Sequence, residues 1–479
     1  MLPKIYITTT LPYVNADPHI GFALEIVQAD IFARFKKMQG HEVFFNTGTD
    51  EHGVKIYRRA EEEGKETRQF VDEYAEKFRT LMTPLAISED VHFIRTTDPY
   101  HEEAAQEFWR RCFKAGDIYK KNYRVKYCIG CELEKTDSEL VDGRCPIHPH
   151  LEIELLDEEN YFFRLSRFRE PLLALYESRP DFVVPDFRFN EIRTFVERGW
   201  EDFSISRLKR KMPWGVAVPD DPDHVMYVWF DAFVNYISAI GWPHDLPRFE
   251  KWWPVIQFAG KDQVRQQAAM WQAMLMSAGL PPSRQILIHG FITSGGQKMS
   301  KSIGNVVNPL TLVDEYGTDA LRYYLAREVH PFEDSDYTAE KFREAYNANL
   351  ANGLGNLVSR VLTMAGNNAV SVPDALLAAP LSGRSEYARY EEFLEGYTFN
   401  RAADVVWELV QRTDKRIQER QPFKMVKTDP EAGRKEIEFL LGELSAIGRF
   451  LAPFLPGTSR KILALLQNPR QPEPLFLRK

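Results

Sequence analysis

Apolar residues near the N-terminus follow first a strand pattern and then a helix pattern. Lys4 to Thr8 is a short β-branched and aromatic run, as expected for a buried strand. From Ile20 to Phe35, apolar residues recur three or four positions apart, which predicts a helix, and residues 41–47 form a second apolar run. Strand, loop, helix and strand in this order predict a doubly wound nucleotide-binding α/β fold.

The same patterns divide the chain into four segments. Residues 1–116 read as the first half of the α/β domain, and residues 117–224, aromatic and rich in cysteine, interrupt it as an insertion. The α/β pattern returns in residues 225–339, where we predict strands at Val225–Phe230, Val255–Phe258 and Gln285–Ile288. Residues 340–479 are almost purely helical and predict an all-α domain.

Composition narrows the class of protein. The 479 residues are 44% hydrophobic and 27% charged, which is typical of a soluble protein with two or three domains. No apolar run is long enough to span a bilayer, and the N-terminus does not resemble a signal peptide, so we expect a cytoplasmic protein. The net charge of −8 allows nucleic-acid binding only through a local basic groove.

Two motifs suit a triphosphate. Residues 17–22 place His19 and Gly21 where the first loop meets the predicted helix, whose N-terminus offers free N–H groups. Taken alone, a His and Gly at a helix start more often form a cap. Residues 295–302 place Lys298 and Lys301 on a loop with paired glycines, where two ammonium groups can neutralise departing pyrophosphate.

Three of the four cysteines cluster with a histidine. Cys128 and Cys131 form C-x2-C, and after thirteen intervening residues Cys145 and His148 form C-x2-H. Four such ligands satisfy tetrahedral zinc and leave no open position, which predicts a structural zinc site. His150 is a less natural rival to His148. The remaining cysteine, Cys112, is expected to be a buried thiol.

His19-Ile20-Gly21-Phe22 resembles the HIGH motif of class I aminoacyl-tRNA synthetases, and Lys298 to Ser302 matches their KMSKS motif. Residues 10–13, 48–53 and 227–232 resemble motifs of the methionyl-tRNA synthetase family. The resemblance implies a Rossmann-like class I catalytic domain with a zinc-knuckle connective insertion, followed by an all-α anticodon-binding domain. It also implies a methionine side-chain pocket formed by Leu11, Tyr13, Val228, Trp229 and Tyr236, with Asp50 holding the substrate ammonium. Without the family resemblance, we would interpret residues 228–230 as a core strand.

Near the expected substrate positions, the sequence departs from the family motifs. Gly260-Lys261-Asp262 matches a family motif beside the adenylate, and Trp271 matches a downstream tryptophan. Gln266 and Gln267 stand where most members have Phe-His, so Gln267 takes the place beside the methionine sulfur. Phe22 replaces a histidine expected near ATP. The residues implied to bind ATP are His19, Gly21, Phe22, Gly260, Asp262, Lys298 and Lys301, of which His19, Lys298 and Lys301 are catalytic.

The helical end carries the expected tRNA contacts. Asn352, Asn356 and Arg360 follow at i, i+4 and i+8, so a helix would place them on one face, where they can read unstacked bases. In the family, matching positions contact the anticodon, and Phe423 replaces a stacking tryptophan. Arg412, Arg416 and Arg420 also share a face, and a phosphate track and a plain solvated face are equally consistent with the sequence.

The implied reaction joins methionine to tRNA. ATP, with Mg²⁺ on its triphosphate, activates L-methionine, and the adenylate is transferred to tRNA(Met), including the initiator. The resemblance covers about residues 4–466, leaving no room for an appended domain, so we expect a monomer. Two alternatives stay open: another class I synthetase, for cysteine, valine, isoleucine or leucine, and a non-catalytic paralogue that binds tRNA or methionine.

Overall fold

The computed structural model describes residues 3–131, 133–299, 304–470 and 472–479. Its strands, numbered in chain order, are β1 Ile5–Thr8, β2 Val43–Thr49, β3 His92–Arg95, β4 Ile118–Cys128, β5 Leu133–Lys135, β6 Glu154–Phe163, β7 Val183–Val184, β8 Phe203–Ser204, β9 Ser206–Leu208, β10 His224–Met226, β11 Val255–Gly260, β12 Gln285–His289, β13 Ile292–Ser294, β14 Gln297–Lys298 and β15 Ser335–Tyr337.

The α-helices of the first two thirds of the chain are α1 Ile20–Met38, α2 Val54–Glu62, α3 Thr67–Thr80, α4 Pro99–Lys114, α5 Arg169–Ser178, α6 Asp186–Glu197, α7 Val228–Ala232, α8 Asn235–Ser238, α9 Leu246–Trp252, α10 Trp271–Ser277, α11 Pro309–Tyr316 and α12 Thr318–Tyr323. Those that follow are α13 Ala339–Ala345, α14 Asn356–Asn367, α15 Asp374–Ala378, α16 Tyr387–Glu395, α17 Phe399–Arg420, α18 Pro422–Thr428, α19 Pro430–Phe450 and α20 Pro456–Gln467. Stretches of π-helix occupy Gln266–Met270, Tyr324–Glu328 and Tyr346–Gly355.

A six-stranded parallel sheet forms the centre of the catalytic part. Its order is β3-β2-β1-β11-β12-β7, and β1 is buried along its whole length, as expected for a strand covered on both faces. The chain runs from β1 outward to β2 and β3 on one side, and from β11 outward to β12 on the other. The crevice beyond the carboxyl ends of β1 and β11 is therefore the topological switch point, where such sheets bind ligands.

The predicted sheet strand at Val225–Phe230 is wrong. Residues His224–Met226 form β10, which pairs antiparallel with β9 outside the parallel sheet, and Val228–Ala232 form the short helix α7. The apolar run is buried both where it forms β10 and where it forms α7. The periodicity of so short a buried run does not distinguish a strand from a helix. The reading of 228–230 as a core strand is wrong for the same reason.

The insertion is built on an antiparallel sheet of order β5-β4-β6-β8. The long pair of β4 and β6 carries the cysteine-rich turn at its far end. Within the same predicted segment, 117–224, the chain also returns to the catalytic sheet, because β7 pairs in parallel with β12. The residues between β6 and β8 thus contribute an edge strand to the nucleotide-binding fold.

The C-terminal helices pack directly on the catalytic part. One continuous hydrophobic core runs from Ile5 in β1 through α1 to α14, α17, α19 and Leu466 in α20. The buried guanidinium of Arg322 in α12 reinforces this junction. It donates to the carbonyls of Leu85, Pro453 and Phe454 and pairs with the buried Asp30 of α1 at 2.8 Å.

In the part of the chain that the structure describes, none of the helices combines the length and apolar character needed to cross a bilayer.

Candidate functional site

A cavity of about 330 Å³ lies at the switch point of the parallel sheet. Thr10 and Pro12 border it from the loop after β1, His19 and Gly21 from the start of α1, and Gly260 from the end of β11. Glu25, Asp262, Gln263, His289 and Met299 complete much of its wall. We call this space the nucleotide cavity, because its position and its helix N-terminus are those of a nucleotide site.

His19 is the N-cap of α1. Its Nδ1 accepts a hydrogen bond from the Gly21 N–H at 3.0 Å, so in the neutral ring Nε2 carries the proton and is the donor. Gly21 permits this arrangement, because a Cβ there would lie 2.7 Å from the His19 ring. Phe22 borders the same cavity and packs edge-to-face on Phe78, with ring centroids 5.1 Å apart.

A buried ionic contact that local sequence patterns did not predict lies in the wall of this cavity. The Glu25 carboxylate accepts from the N–H and the hydroxyl of Thr10, both at 2.6 Å, and contacts His289 Nε2 at 2.8 Å. His289 Nδ1 lies 2.7 Å from the Gly290 carbonyl, so a doubly protonated ring satisfies both contacts. Burial lowers the pKa of His289, but the Glu25 carboxylate outweighs it and the net pKa is raised. The contact joins the ends of β1 and β12 to α1.

The lysine loop approaches the same cavity. Its Gly295 and Gly296 both have positive φ, and Met299 borders the cavity. Lys298 belongs to β14, although its side chain is not among those described, and Lys301 lies outside the described residues. On the opposite wall, Gly260 ends β11, and Asp262 lies on the single 3-10 turn that follows it.

Backbone pairing brings three of the expected methionine residues together. Asp50 forms a parallel bridge with Tyr13, its N–H donates to the Pro12 carbonyl at 3.0 Å, and its carbonyl accepts from Val14 at 3.2 Å. Leu11 is the neighbour of Pro12. Asp50 is almost fully buried, at 5% exposed. The loop after β1 and the end of β2 are thus one continuous wall.

Gln267 is the centre of a buried amide network. Its Nε2 donates to the Tyr236 hydroxyl at 2.8 Å and to Gln263 Oε1 at 3.2 Å, while its Oε1 accepts from Gln257 at 3.0 Å. Both amide protons are therefore engaged, and donation from Gln267 to a sulfur would require one of these bonds to break. Burial raises the pKa of Tyr236, so its hydroxyl stays protonated and keeps a proton that the bond from Gln267 does not use.

Val228 and Trp229 border cavities other than the nucleotide cavity. Val228 borders a cavity of about 210 Å³ beside Tyr127 and Tyr227, and Trp229 borders one of about 390 Å³ beside Gln266. Trp271 is fully buried and packs against Tyr236, with ring centroids 5.9 Å apart. The residues described around the nucleotide cavity include none of the seven expected at methionine.

Four metal-binding side chains converge in the insertion. The ligand atoms of Cys128, Cys131, Cys145 and His148 all lie within 4.8 Å of one another. Cys131 Sγ is 3.5 Å from Cys145 Sγ and 3.3 Å from His148 Nδ1, which is 3.8 Å from Cys128 Sγ. A tetrahedron with zinc–sulfur and zinc–nitrogen bond lengths has edges of about 3.5–3.8 Å. The donor set therefore fits zinc in both chemistry and spacing.

The surroundings of this cluster fit the same interpretation. Gly130 lies under the His148 ring, where a Cβ would be 2.4 Å from the ring carbon Cγ. Burial raises the pKa of Cys145, but N–H groups of His148 and Ile147 outweigh it and the net pKa is lowered, which favours the thiolate. His150 is exposed and is not part of the cluster. Cys112 is a buried free thiol, as predicted.

The expected anticodon residues lie on the C-terminal helices. Asn352 falls in the π-helix Tyr346–Gly355 rather than in a regular α-helix, and Asn356 begins α14. Both amides are exposed, and Arg360 pairs with Asp414 of α17. Phe423, 44% exposed, lies at the start of α18, and both α14 and α18 pack against α19.

The second arginine group, Arg412, Arg416 and Arg420, lies among carboxylates of the helical part. Arg412 contacts Glu386 and Glu443, Arg416 contacts Glu436 at 2.9 Å, and Arg420 lies 3.8 Å from Glu436. Each of the three guanidinium groups therefore has a carboxylate of the helical part close by, and Arg416 and Arg420 share Glu436. Of the two interpretations that the sequence left open, these ion pairs favour the one without phosphate.

Comparison with known proteins agrees with this geometry. A family model described as "tRNA synthetases class I (M)" matches residues 5–153 and 149–362. A methionine–tRNA ligase of Nostoc sp. is 42% identical over 95% of this chain and 88% of the relative, and that of Thermotoga maritima is 39% identical over 98% and 76%. The structure of Mycobacterium tuberculosis methionyl-tRNA synthetase with methionyl-adenylate superposes with a TM-score of 0.90 at 38% identity, covering 97% of this chain and 94% of that one. The chain therefore belongs to the class I methionyl-tRNA synthetase family, as its motifs predicted.

Proposed function

We propose that this chain is a methionine–tRNA ligase. It activates L-methionine with ATP to methionyl-adenylate, releasing diphosphate, and transfers methionine to the 3′ end of tRNA(Met), releasing AMP. The observation that carries the proposal is the nucleotide cavity, which lies at the switch point and is bordered by the His19 motif, the Gly260 motif and Met299 of the lysine loop. Membership of the methionyl-tRNA synthetase family identifies the amino acid substrate as methionine.

In the first step the methionine carboxylate attacks the α-phosphorus of ATP. His19 Nε2–H and the positive end of the α1 dipole hold the triphosphate. Lys298 and Lys301 neutralise the charge that builds on the departing diphosphate. Mg²⁺ that arrives with ATP supplies further positive charge. The enzyme contributes positioning and electrostatic stabilisation rather than covalent chemistry.

The contact between Glu25 and His289 keeps the cavity in shape during this step. Glu25 holds the loop after β1 through both donors of Thr10 and holds His289 at the end of β12. A buried carboxylate with three donors has little freedom to move, so the cavity walls keep a fixed separation.

Methionine binds between the end of β2 and the buried amide network. Asp50 pairs with the α-ammonium, and Leu11, Tyr13, Val228 and Trp229 contribute apolar contacts. The Tyr236 hydroxyl, rather than the amide of Gln267, donates to the sulfur, because both amide protons of Gln267 are already engaged. Gln267 then acts as a positioning residue that orients Tyr236. The change from histidine to glutamine is therefore compatible with methionine.

Zinc and tRNA occupy the outer parts of the molecule. Cys128, Cys131, Cys145 and His148 hold Zn²⁺, which stiffens the tip of the insertion. Asn352, Asn356, Arg360 and Phe423 bind the anticodon of elongator and initiator tRNA(Met). The enzyme acts as a monomer in the cytoplasm.

Amino-acid-dependent exchange between ATP and diphosphate tests this proposal. Methionine is expected to support exchange, whereas cysteine and leucine, at equal concentration, are not. Exchange with cysteine or leucine alone would overturn the specificity. Absence of exchange with any amino acid would favour the non-catalytic alternative, which the departures at Phe22, Gln266 and Gln267 motivate.

A further inference from the structure

A second cavity, of about 390 Å³, lies between the insertion and the π-helix that follows β11. The indoles of Trp200 and Trp229 and the ring of Phe195 form much of its wall, together with Arg265 and Gln266. We call it the aromatic cavity. Its volume is within the range of small-ligand sites, about 300–1,000 Å³, and its flat walls suit a planar ring.

The Gln266 side chain lacks the hydrogen bonds that its burial demands. It is only 6% exposed, and in the described part of the chain its amide oxygen has no partner. The Nε1 atoms of Trp200 and Trp229 are also buried without an acceptor among the described residues. Buried amides in proteins are almost always paired. Gln266 therefore has an acceptor that lacks a donor, in a side chain that lines the aromatic cavity.

The charges around the cavity suit a phosphate at its rim. Arg265 is exposed, its guanidinium lies 4.1 Å from the Phe195 ring centroid, and no carboxylate of the described residues pairs with it. The carboxylates of Glu139, Glu201 and Asp202 also border the cavity, so we assign the phosphate contact to the exposed guanidinium at the rim and not to the interior. Asp202 accepts from Tyr119 at 2.8 Å, and Glu139 accepts from the N–H of Thr136 at 3.0 Å.

The aromatic cavity lies near the nucleotide cavity. Gln263 borders the nucleotide cavity and Gln266 the aromatic one, and about one helical turn, roughly 5 Å, separates two residues at this spacing. In the second step of the proposed reaction, a ribose hydroxyl of the terminal adenosine must reach the adenylate. The adenine of that nucleoside then lies a few ångströms farther from the adenylate than the ribose hydroxyl does.

We infer that the aromatic cavity binds the terminal adenine of the tRNA, an inference that rests on the proposed function. The base stacks on the indoles, and the Gln266 amide pairs with N6–H and N7, the bidentate contact by which glutamine reads adenine. Arg265 contacts a phosphate of the 3′ strand. Trp229, which borders this cavity and is expected at methionine, places the base next to the amino acid it accepts.

Transfer from preformed methionyl-adenylate to tRNA with altered 3′ ends tests the inference. Wild-type enzyme is expected to transfer to tRNA ending in adenosine at least about 10-fold faster than to tRNA ending in purine riboside, which lacks N6, or in 7-deazaadenosine, because a bidentate pair discriminates by about 5- to 150-fold. Gln266→Leu, which keeps the side-chain volume, is expected to lose this preference and to transfer slowly to all three. Gln69→Leu, an exposed glutamine on α3, is the matched control and should behave as wild type.

The outcomes separate the inference from the proposed function. Equal wild-type rates with all three tRNA ends would overturn the inference, even if Gln266→Leu does not fold. Loss of methionine-dependent exchange in folded Gln266→Leu would also overturn it, because exchange requires no tRNA. Arg265→Ala should slow transfer to all three tRNAs by the same factor and weaken its salt dependence. Absence of exchange by wild-type enzyme would contradict the proposed function instead.

Discussion

Replacing Arg322 with methionine tests the junction between the catalytic sheet and the C-terminal helices. The Arg322 side chain is fully buried and joins three parts of the chain: Asp30 of α1, the carbonyl of Leu85 before β3, and the carbonyls of Pro453 and Phe454 after α19. Methionine keeps much of the volume and removes every donor.

The expected loss is about 4 kcal/mol. Removing one partner of a buried ion pair costs about 3–5 kcal/mol, and each carbonyl left without its donor costs about 1–3 kcal/mol before relaxation. Asp30 still accepts from Arg34 at 2.7 Å and from the Ser88 N–H at 2.8 Å, which limits the loss. With a urea dependence of about 3 kcal/mol per molar, the unfolding midpoint is expected to fall by about 1.3 M.

Urea unfolding followed by tryptophan fluorescence and by far-UV circular dichroism measures this shift. Arg460→Met, an exposed arginine on α20, is the matched control and is expected to change stability by less than about 0.5 kcal/mol. If Arg322→Met unfolds within about 0.2 M of the wild-type midpoint, the structural role assigned to the buried pair is wrong.

Three further substitutions test separate parts of the structure. Gly130→Ala is expected to displace the His148 ring and to lower zinc affinity about 10- to 100-fold, measured by competition with a chelator, since a Cβ there would lie 2.4 Å from the ring. Gln28→Leu is expected to stabilise the protein by about 1–2 kcal/mol in urea, because both polar atoms of this buried amide lack partners among the described residues. The free energy of unfolding of the wild type is expected to exceed that of His289→Gln by the largest amount at low pH. The Glu25 carboxylate raises the pKa of His289 above 6.5 despite burial, so this advantage is complete below about pH 6.5 and is lost as the pH rises through the raised pKa.

Each of these outcomes has a contrary result. Gly383 has open space around its Cβ position, so Gly383→Ala should bind zinc as wild type does, and equal affinity in Gly130→Ala would contradict the packing argument. A lower urea midpoint for Gln28→Leu would show that this amide is satisfied. A stability difference for His289→Gln that grows as the pH rises would reverse the sign of the proposed linkage.

Local patterns in the sequence predicted the elements that are periodic and long. Helix α1 was predicted from residue 20 because its apolar face repeats every three or four residues over several turns. The zinc ligands were found because all four lie within 21 residues of one another. The order of strand, helix and strand predicted the doubly wound fold, but not the strand order of its sheet or the edge strand β7.

Contacts between residues that are distant in the sequence could not be predicted from local patterns. Glu25 and His289 are 264 positions apart, so no window of sequence contains the contact. The bonds of Gln267 to Tyr236 and Gln257 likewise depend on how α8, β11 and the π-helix pack. The helix at Val228–Ala232 was missed because it begins within the apolar run of residues 225–230, and so short a run is equally consistent with a strand.

Aminoacylation of tRNA(Met) with labelled methionine tests the central claim most directly. We expect ATP-dependent transfer of methionine to tRNA carrying the CAU anticodon, abolished by periodate oxidation of the tRNA 3′ end and reduced at least about 100-fold in Lys298→Gln, which keeps the fold but removes a transition-state charge. Stable methionine-dependent binding of tRNA without any transfer would contradict the account.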